Sequence, residues 1–199
     1  MNKYSLYLAS NSYSRKKLLQ DSQIPFLIIQ QCADESIIDQ NCSLQQYVTA
    51  LALLKMEHVV LPVAKEGDIA LFLTADTMTL DYQGRLLGKP LDHADAIRML
   101  QICRQGVTVG TAFCLEKKIF EGGVWKTLGQ IIDYDQAFCV VDVPGKCIDF
   151  YLEKISYLCV SGGIAIEGFG EQFVKKIDGC YSAILGLPMY KLRQALSQF

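Results

Sequence analysis

Residues 10–17 read Ser10-Asn11-Ser12-Tyr13-Ser14-Arg15-Lys16-Lys17, four hydroxyl side chains running into three cations. An apolar run, 6–9, enters this cluster and Leu18-Leu19 leaves it. The pattern predicts strand, polar loop and helix N-terminus. A helix N-terminus carries partial positive charge, so each cation there costs about 0.3–1 kcal/mol where a carboxylate would help. Amide N–H groups, hydroxyls and cations converging on one turn make sense if an anion binds there, most simply a phosphate. A capped surface helix with a solvated basic turn has the same local sequence, so the cluster alone does not decide. The second group that could do chemistry is Asp76. It follows the apolar run Ile69-Ala70-Leu71-Phe72-Leu73. A carboxylate at the end of a buried strand is where α/β folds place working groups. Its plain alternative is a cap or turn residue.

Alternating strand and helix signals would position these groups. Strands are expected at 6–9, 26–31 and 69–73. The pieces 78–81 and 86–87 form a hairpin around Tyr82-Gln83-Gly84-Arg85, and 106–120 and 126–143 a second around Gly122-Gly123. Helices are expected at 14–21, at 43–58 with Ser43 as N-cap, at 93–103 capped by Asp92, at 144–154 from Pro144, near 171–177, and from Pro188 to 199. Ser161-Gly162-Gly163 and Gly168-Phe169-Gly170 read as glycine loops. No repeat, low-complexity tract or long linker divides the chain.

The chain has 199 residues, 51% hydrophobic and 20% charged, which suits one globular α/β domain with a large core. Its net charge of −2 argues against a surface devoted to DNA or RNA, though not against a local basic pocket. No cysteine forms a C-x-x-C pair, and neither His58 nor His93 stands at zinc-ligand spacing. Buried free thiols in a reducing cytoplasm are expected, with no thiol-redox role. There is no signal-peptide pattern and no apolar run long enough to span a membrane.

Four segments together resemble the Maf-like nucleotide pyrophosphatases of the inosine-triphosphatase-like superfamily. They are 8–19; Ala75-Asp76-Thr77; Leu87-Gly88-Lys89-Pro90 with Asp95-Ala96 and Met99-Leu100; and 168–188, which holds Phe173-Val174-Lys175-Lys176-Ile177-Asp178-Gly179 and Gly186-Leu187-Pro188. The resemblance implies an α/β fold of two lobes, mixed sheet and helices around a central nucleotide-binding cleft. It implies hydrolysis of non-standard or modified nucleoside triphosphates to the monophosphate and pyrophosphate, with a divalent metal, Mg or Mn. It implies a cytoplasmic house-cleaning enzyme whose partner is the nucleotide, without nucleic acid or membrane, and with a homodimer open as its assembly. Carried over residue by residue, Ser12, Arg15 and Lys16 match the phosphate-gripping loop, and Lys55 and Lys89 add cations for the triphosphate. Glu35, Lys55, Asp76 and Lys89 match the family's charged active-site set; Glu35 and Asp76 are the candidates to hold the metal, and Asp76 also falls on the proton acceptor.

The departures from the family pattern concern specificity. The loop commonly reads Ser-Pro-Arg-Arg, or Ser-Pro-Trp-Arg-Arg in the branch acting on 7-methyl-GTP. Here the proline is lost and Ser14 stands in place of the Arg or Trp. Thr77 is similar to the thymidine/uridine-triphosphate branch. Glu167, in Glu167-Gly168-Phe169-Gly170, is similar to the 7-methyl-GTP branch. A carboxylate only accepts hydrogen bonds and suits the adjacent N–H donors of guanine, so the expectation leans to 7-methyl-GTP. A dTTP/UTP pyrophosphatase and a nucleotide-binding regulator of cell division with little turnover are the alternatives.

Overall fold

The computed structural model describes residues 3–199. Seven strands form one mixed sheet: β1 (Ser5–Leu8), β2 (Leu27–Ile28), β3 (Ile69–Leu80), β4 (Leu86–Leu87), β5 (Val107–Glu121), β6 (Val124–Val141) and β7 (Val174–Gly179). The order is β2-β1-β3-β5-β6-β7, with β4 paired to β3 off this path. The helices are α1 (Tyr13–Asp21), α2 (Leu44–Glu57), α3 (His93–Cys103), α4 (Ile148–Lys154), α5 (Tyr181–Ile184) and α6 (Met189–Leu196). The chain divides into two compact units. One takes the chain up to Asp76, then Thr111–Asp135 and Leu185–Phe199; the other takes Thr77–Gly110 and Gln136–Ile184.

In the first unit β1 runs parallel to both neighbours, with Tyr7 opposite Leu27 and Ser5 through Leu8 opposite Ala70 through Leu73. Parallel pairing buries both faces of a strand, which is why 69–73 reads as a continuous apolar run rather than an alternating one. Leu6, Leu8, Leu71, Leu73, Phe113 and Leu115 form the core, closed by Leu19 of α1 and by Leu192, Ala195 and Leu196 of α6. Each such leucine contributes roughly 1.5–3 kcal/mol on burial. Ser43 caps α2 as expected, and Gln46 completes a reciprocal capping box. Thr74 Oγ1 donates 2.7 Å to the Ala52 carbonyl, tying α2 to β3.

In the second unit the end of β3 pairs with β4, Thr79 opposite Leu87. The end of β6 pairs antiparallel with β7, Ala137 opposite Gly179. Asp92 caps α3, accepting from the Asp95 N–H. The Tyr151 hydroxyl donates to the Ala165 carbonyl at 3.0 Å and accepts from the Ala165 N–H at 2.9 Å, fixing the chain ahead of the second glycine loop.

The sequence expectations need several corrections. The stretch near 171–177 is not a helix: a 3-10 turn spans Gly168–Phe173 and β7 follows. Phe173, Val174 and Ile177 have helical spacing, but pairing with β6 overrides this local signal. Strand β3 does not stop before Asp76; its ladder continues through the pairing with β4, so Asp76 lies inside a 12-residue strand. The strand expected at 26–31 shrinks to two residues. Pro144 leads into a 3-10 turn, Gly145–Cys147, before α4 begins. The last helix ends at Leu196 rather than at 199.

Candidate active site

Four of the charged residues singled out in the sequence meet in the first unit. Arg15 comes from the first turn of α1, Glu35 from the 3-10 turn Glu35–Ile37, Lys55 from the last turn of α2 and Asp76 from β3. Asp34 caps the 3-10 turn by accepting from the Ser36 N–H at 3.0 Å and the Ser36 hydroxyl at 2.6 Å, which presents Glu35. Lys55 Nζ lies 2.5 Å from Asp76 Oδ1 and 3.0 Å from Glu35 Oε1. The Thr74–Ala52 bond sits two residues before Asp76 and three before Lys55, so it sets the register between them.

Three of the four are deeply buried: Arg15 is 9% exposed, Lys55 8% and Asp76 6%, whereas the Glu35 side chain is half exposed. Burial pushes the Asp76 carboxyl above its ordinary range, against the pull of Lys55 and Arg15 and with a further push from Glu35. Burial likewise draws the Arg15 guanidinium down, opposed by Asp76 and Glu35. Arginine stays charged in proteins even so. One Asp76 oxygen, Oδ2, is buried with no hydrogen-bond partner. A buried acceptor left unpaired costs about 1–3 kcal/mol.

The loop at 10–17 opens α1. Ser12 caps α1, its hydroxyl accepting from the Arg15 N–H at 3.4 Å. The Arg15 side chain turns inward: Nε donates 2.8 Å to the Gly186 carbonyl and Nη1 donates 3.2 Å to Ser10 Oγ. Lys16 is half-buried beside it, while Lys17 points out and pairs with Asp21 at 2.9 Å. Ser14 is half-buried in the first turn. Of the base-selecting candidates, Ser14 belongs to the first unit and Thr77 and Glu167 to the second, as does the phosphate candidate Lys89. Thr77 is half-buried directly after Asp76, and Lys89 is exposed after β4. Glu167 is half-buried ahead of the 3-10 turn Gly168–Phe173, near enough to Tyr181 that it and Glu171 add to the upward push of burial on that phenol.

Sequence reasoning missed several supporting groups. Ser10 was only one of several loop hydroxyls, and the Gly186 carbonyl has no side-chain signature 171 residues away. Tyr47 is buried, and its phenol is raised by burial and by the charges of Asp76 and Glu35. A tyrosine on an apolar helix stripe reads as core.

Glu35 and Asp76 suit a hard divalent cation. Both offer carboxylate oxygens, and Asp76 Oδ2 lacks any other partner. Among the described residues no group of three or more His, Cys, Asp or Glu is arranged to hold a metal ion. Two carboxylates with the remaining positions left to water and phosphate is the pattern suited to Mg²⁺.

The sequence profile of the family described as Maf-like protein matches residues 5–199. The chain belongs to the Maf-like protein family. Among its relatives is a protein of Caldicellulosiruptor bescii named dTTP/UTP pyrophosphatase, 33% identical over 97% of this chain and 94% of the relative. One of Christiangramia forsetii bears the same name and is 28% identical over 100% of this chain and 95% of the relative. One of Prochlorococcus marinus, named nucleoside triphosphate pyrophosphatase, is 30% identical over 97% of this chain and 96% of the relative. The family match runs through both compact units, from β1 to the end of the chain.

Proposed function

We propose that this Maf-like protein is a nucleoside triphosphate pyrophosphatase, a hydrolase acting on the anhydride between the α and β phosphates. The observation that carries this reading is the buried set of Asp76, Lys55 and Arg15, with Asp76 Oδ2 lacking a partner. Binding needs cations for the phosphates, whereas hydrolysis also needs a carboxylate placed to orient and deprotonate a water. The relatives named above support the same activity.

In the reaction, a water oxygen attacks the α-phosphorus. The bond from that phosphorus to the bridging oxygen breaks, and pyrophosphate leaves. Asp76 orients the water and takes its proton. Arg15, held by Ser10 and the Gly186 carbonyl, presents its planar fork to phosphate oxygens, and Lys16 and Lys55 act as point charges. Lys89 is assigned to the triphosphate on the family match alone. A divalent cation held by Glu35 and Asp76 would neutralise charge on the phosphates and leaving group. Most of the catalytic effect in this chemistry comes from such positioning and charge.

The relatives' names and Thr77 support dTTP and UTP as substrates. Glu167 favours a second reading, a guanine-type base with 7-methyl-GTP first. Its carboxylate would accept from adjacent guanine N–H groups, while Ser14 offers no ring to stack on a cationic base. A cytoplasmic location belongs to this reading because nucleoside triphosphates are found there; among the described residues no helix is long and apolar enough to cross a membrane. The deciding experiment measures kcat/KM for pyrophosphate release from dTTP, UTP, GTP and 7-methyl-GTP with Mg²⁺. Preference for dTTP and UTP supports the first reading, and preference for 7-methyl-GTP the second. Absence of turnover on all four contradicts the proposed enzyme.

A further inference from the structure

We propose that Lys55 is a gate on divalent-cation binding, its ammonium holding Glu35 and Asp76 closed to a metal ion until nucleotide phosphate draws it away. The inference rests on reading this cluster as a triphosphate site and concerns the order in which metal and nucleotide bind.

Its basis is that one cation touches both carboxylates that would hold the metal. Lys55 Nζ is 2.5 Å from Asp76 Oδ1 and 3.0 Å from Glu35 Oε1. The two carboxylates that would hold the metal are therefore both engaged by one ammonium. The lysine side chain is 10% exposed, so water screens it little. The Arg15 guanidinium is also buried, and its charge is felt at Asp76 and Glu35. The cluster thus sets two cations against two carboxylates. A dication entering alone must displace or face an ammonium within about 3 Å of its oxygens, a repulsion that burial strengthens.

A second observation points the same way. The described residues hold no cluster of three or more metal-ligating side chains, so the two carboxylates leave most of the coordination sphere to water or phosphate. A triphosphate removes both obstacles at once. Its oxygens supply the missing ligands, and its negative charge offers the Lys55 ammonium a new partner. Asp76 Oδ2, buried and without a partner, is a further carboxylate oxygen for the ion once Lys55 has moved. Metal and nucleotide then bind with positive coupling, and Lys55 supplies it.

The test is Mn²⁺ binding to the full chain, read from the paramagnetic resonance signal of free Mn²⁺. It compares the wild type, Lys55→Met, Lys55→Gln and Lys55→Met/Asp76→Asn, each alone and with α,β-methylene analogues of UTP and GTP. The expected result has three parts. The wild type binds Mn²⁺ alone at least about tenfold more weakly than either single variant. The double variant loses the gained site. An analogue tightens Mn²⁺ binding to the wild type far more than to Lys55→Met. Wild-type binding of Mn²⁺ alone as tight as that of Lys55→Met overturns the gate. So does a gained site that survives Asp76→Asn, or coupling undiminished in both single variants. If neither analogue binds, the nucleotide reading fails separately from the Lys55 comparison, which is made without nucleotide.

Discussion

Arg15 and Lys17 lie two residues apart on α1 and meet different fates. Arg15 is buried and braced by the Gly186 carbonyl and Ser10, while Lys17 pairs with Asp21 in solvent. Arg15→Ala removes charge-assisted bonds of about 1.5–3 kcal/mol and should raise KM for the triphosphate roughly 10–100-fold. Lys17→Ala should change KM less than about twofold; steady-state kinetics on both variants checks the contrast. Asp76→Asn keeps shape and removes charge, so kcat should fall by about 10²–10⁴-fold with the circular dichroism spectrum unchanged. The acid side of the pH profile follows from the same group. Its working form is the anion, and burial raises its pKa, so protonation sets in at a higher pH than for an exposed carboxylate. Activity should therefore fade on acidification above the ordinary carboxylate range, and a kcat/KM profile losing activity only at or below that range would count against Asp76. The sequence showed Arg15 and Asp76 through local context, a polar turn and an apolar strand. It could not show Ser10, Tyr47 or the Gly186 carbonyl in their roles, because those depend on contacts between distant segments.

At the scale of elements, legibility followed locality. Helices α2 and α3 are announced by caps within their own sequence, Ser43 and Asp92, and were placed to within a residue. Strand β7 was misread because its partner, β6, lies more than 30 residues away, and the helical spacing of its apolar residues is incidental. The sequence does show the hairpin of 78–81 with 86–87; it does not show that 69–73 and 78–81 are one strand running through Asp76. Two substitutions probe how elements hold the site. Thr74→Val conserves shape but removes the side-chain donor to the Ala52 carbonyl, at a cost of about 1 kcal/mol. It should lower Tm by roughly 2–4 °C and, by loosening α2 against β3, reduce kcat/KM several-fold. Gly170→Ala would place a Cβ 1.8 Å from the Ala165 carbonyl oxygen, against a segment held by Tyr151. A cost of about 2 kcal/mol or more, and a Tm drop of roughly 4–8 °C, is expected in thermal unfolding.

At the scale of the whole molecule, the α/β class and the family could be read from the sequence, because several short motifs recur in order along the chain. The base preference could not, since Ser14, Thr77 and Glu167 point to different branches. If Glu167 reads the base, Glu167→Gln should shift the kcat/KM ratio toward dTTP and UTP and away from guanine triphosphates, by about 1–3 kcal/mol in discrimination. An unchanged ratio would remove Glu167 from the specificity set. The central claim, water attack at the α-phosphorus assisted by Asp76, is tested most directly by turnover in ¹⁸O-labelled water with mass analysis of both products. One labelled oxygen in the nucleoside monophosphate, none in pyrophosphate, and almost no labelled product from Asp76→Asn is the result expected. Label in pyrophosphate or in free phosphate, or labelling by Asp76→Asn at the wild-type rate, would contradict it.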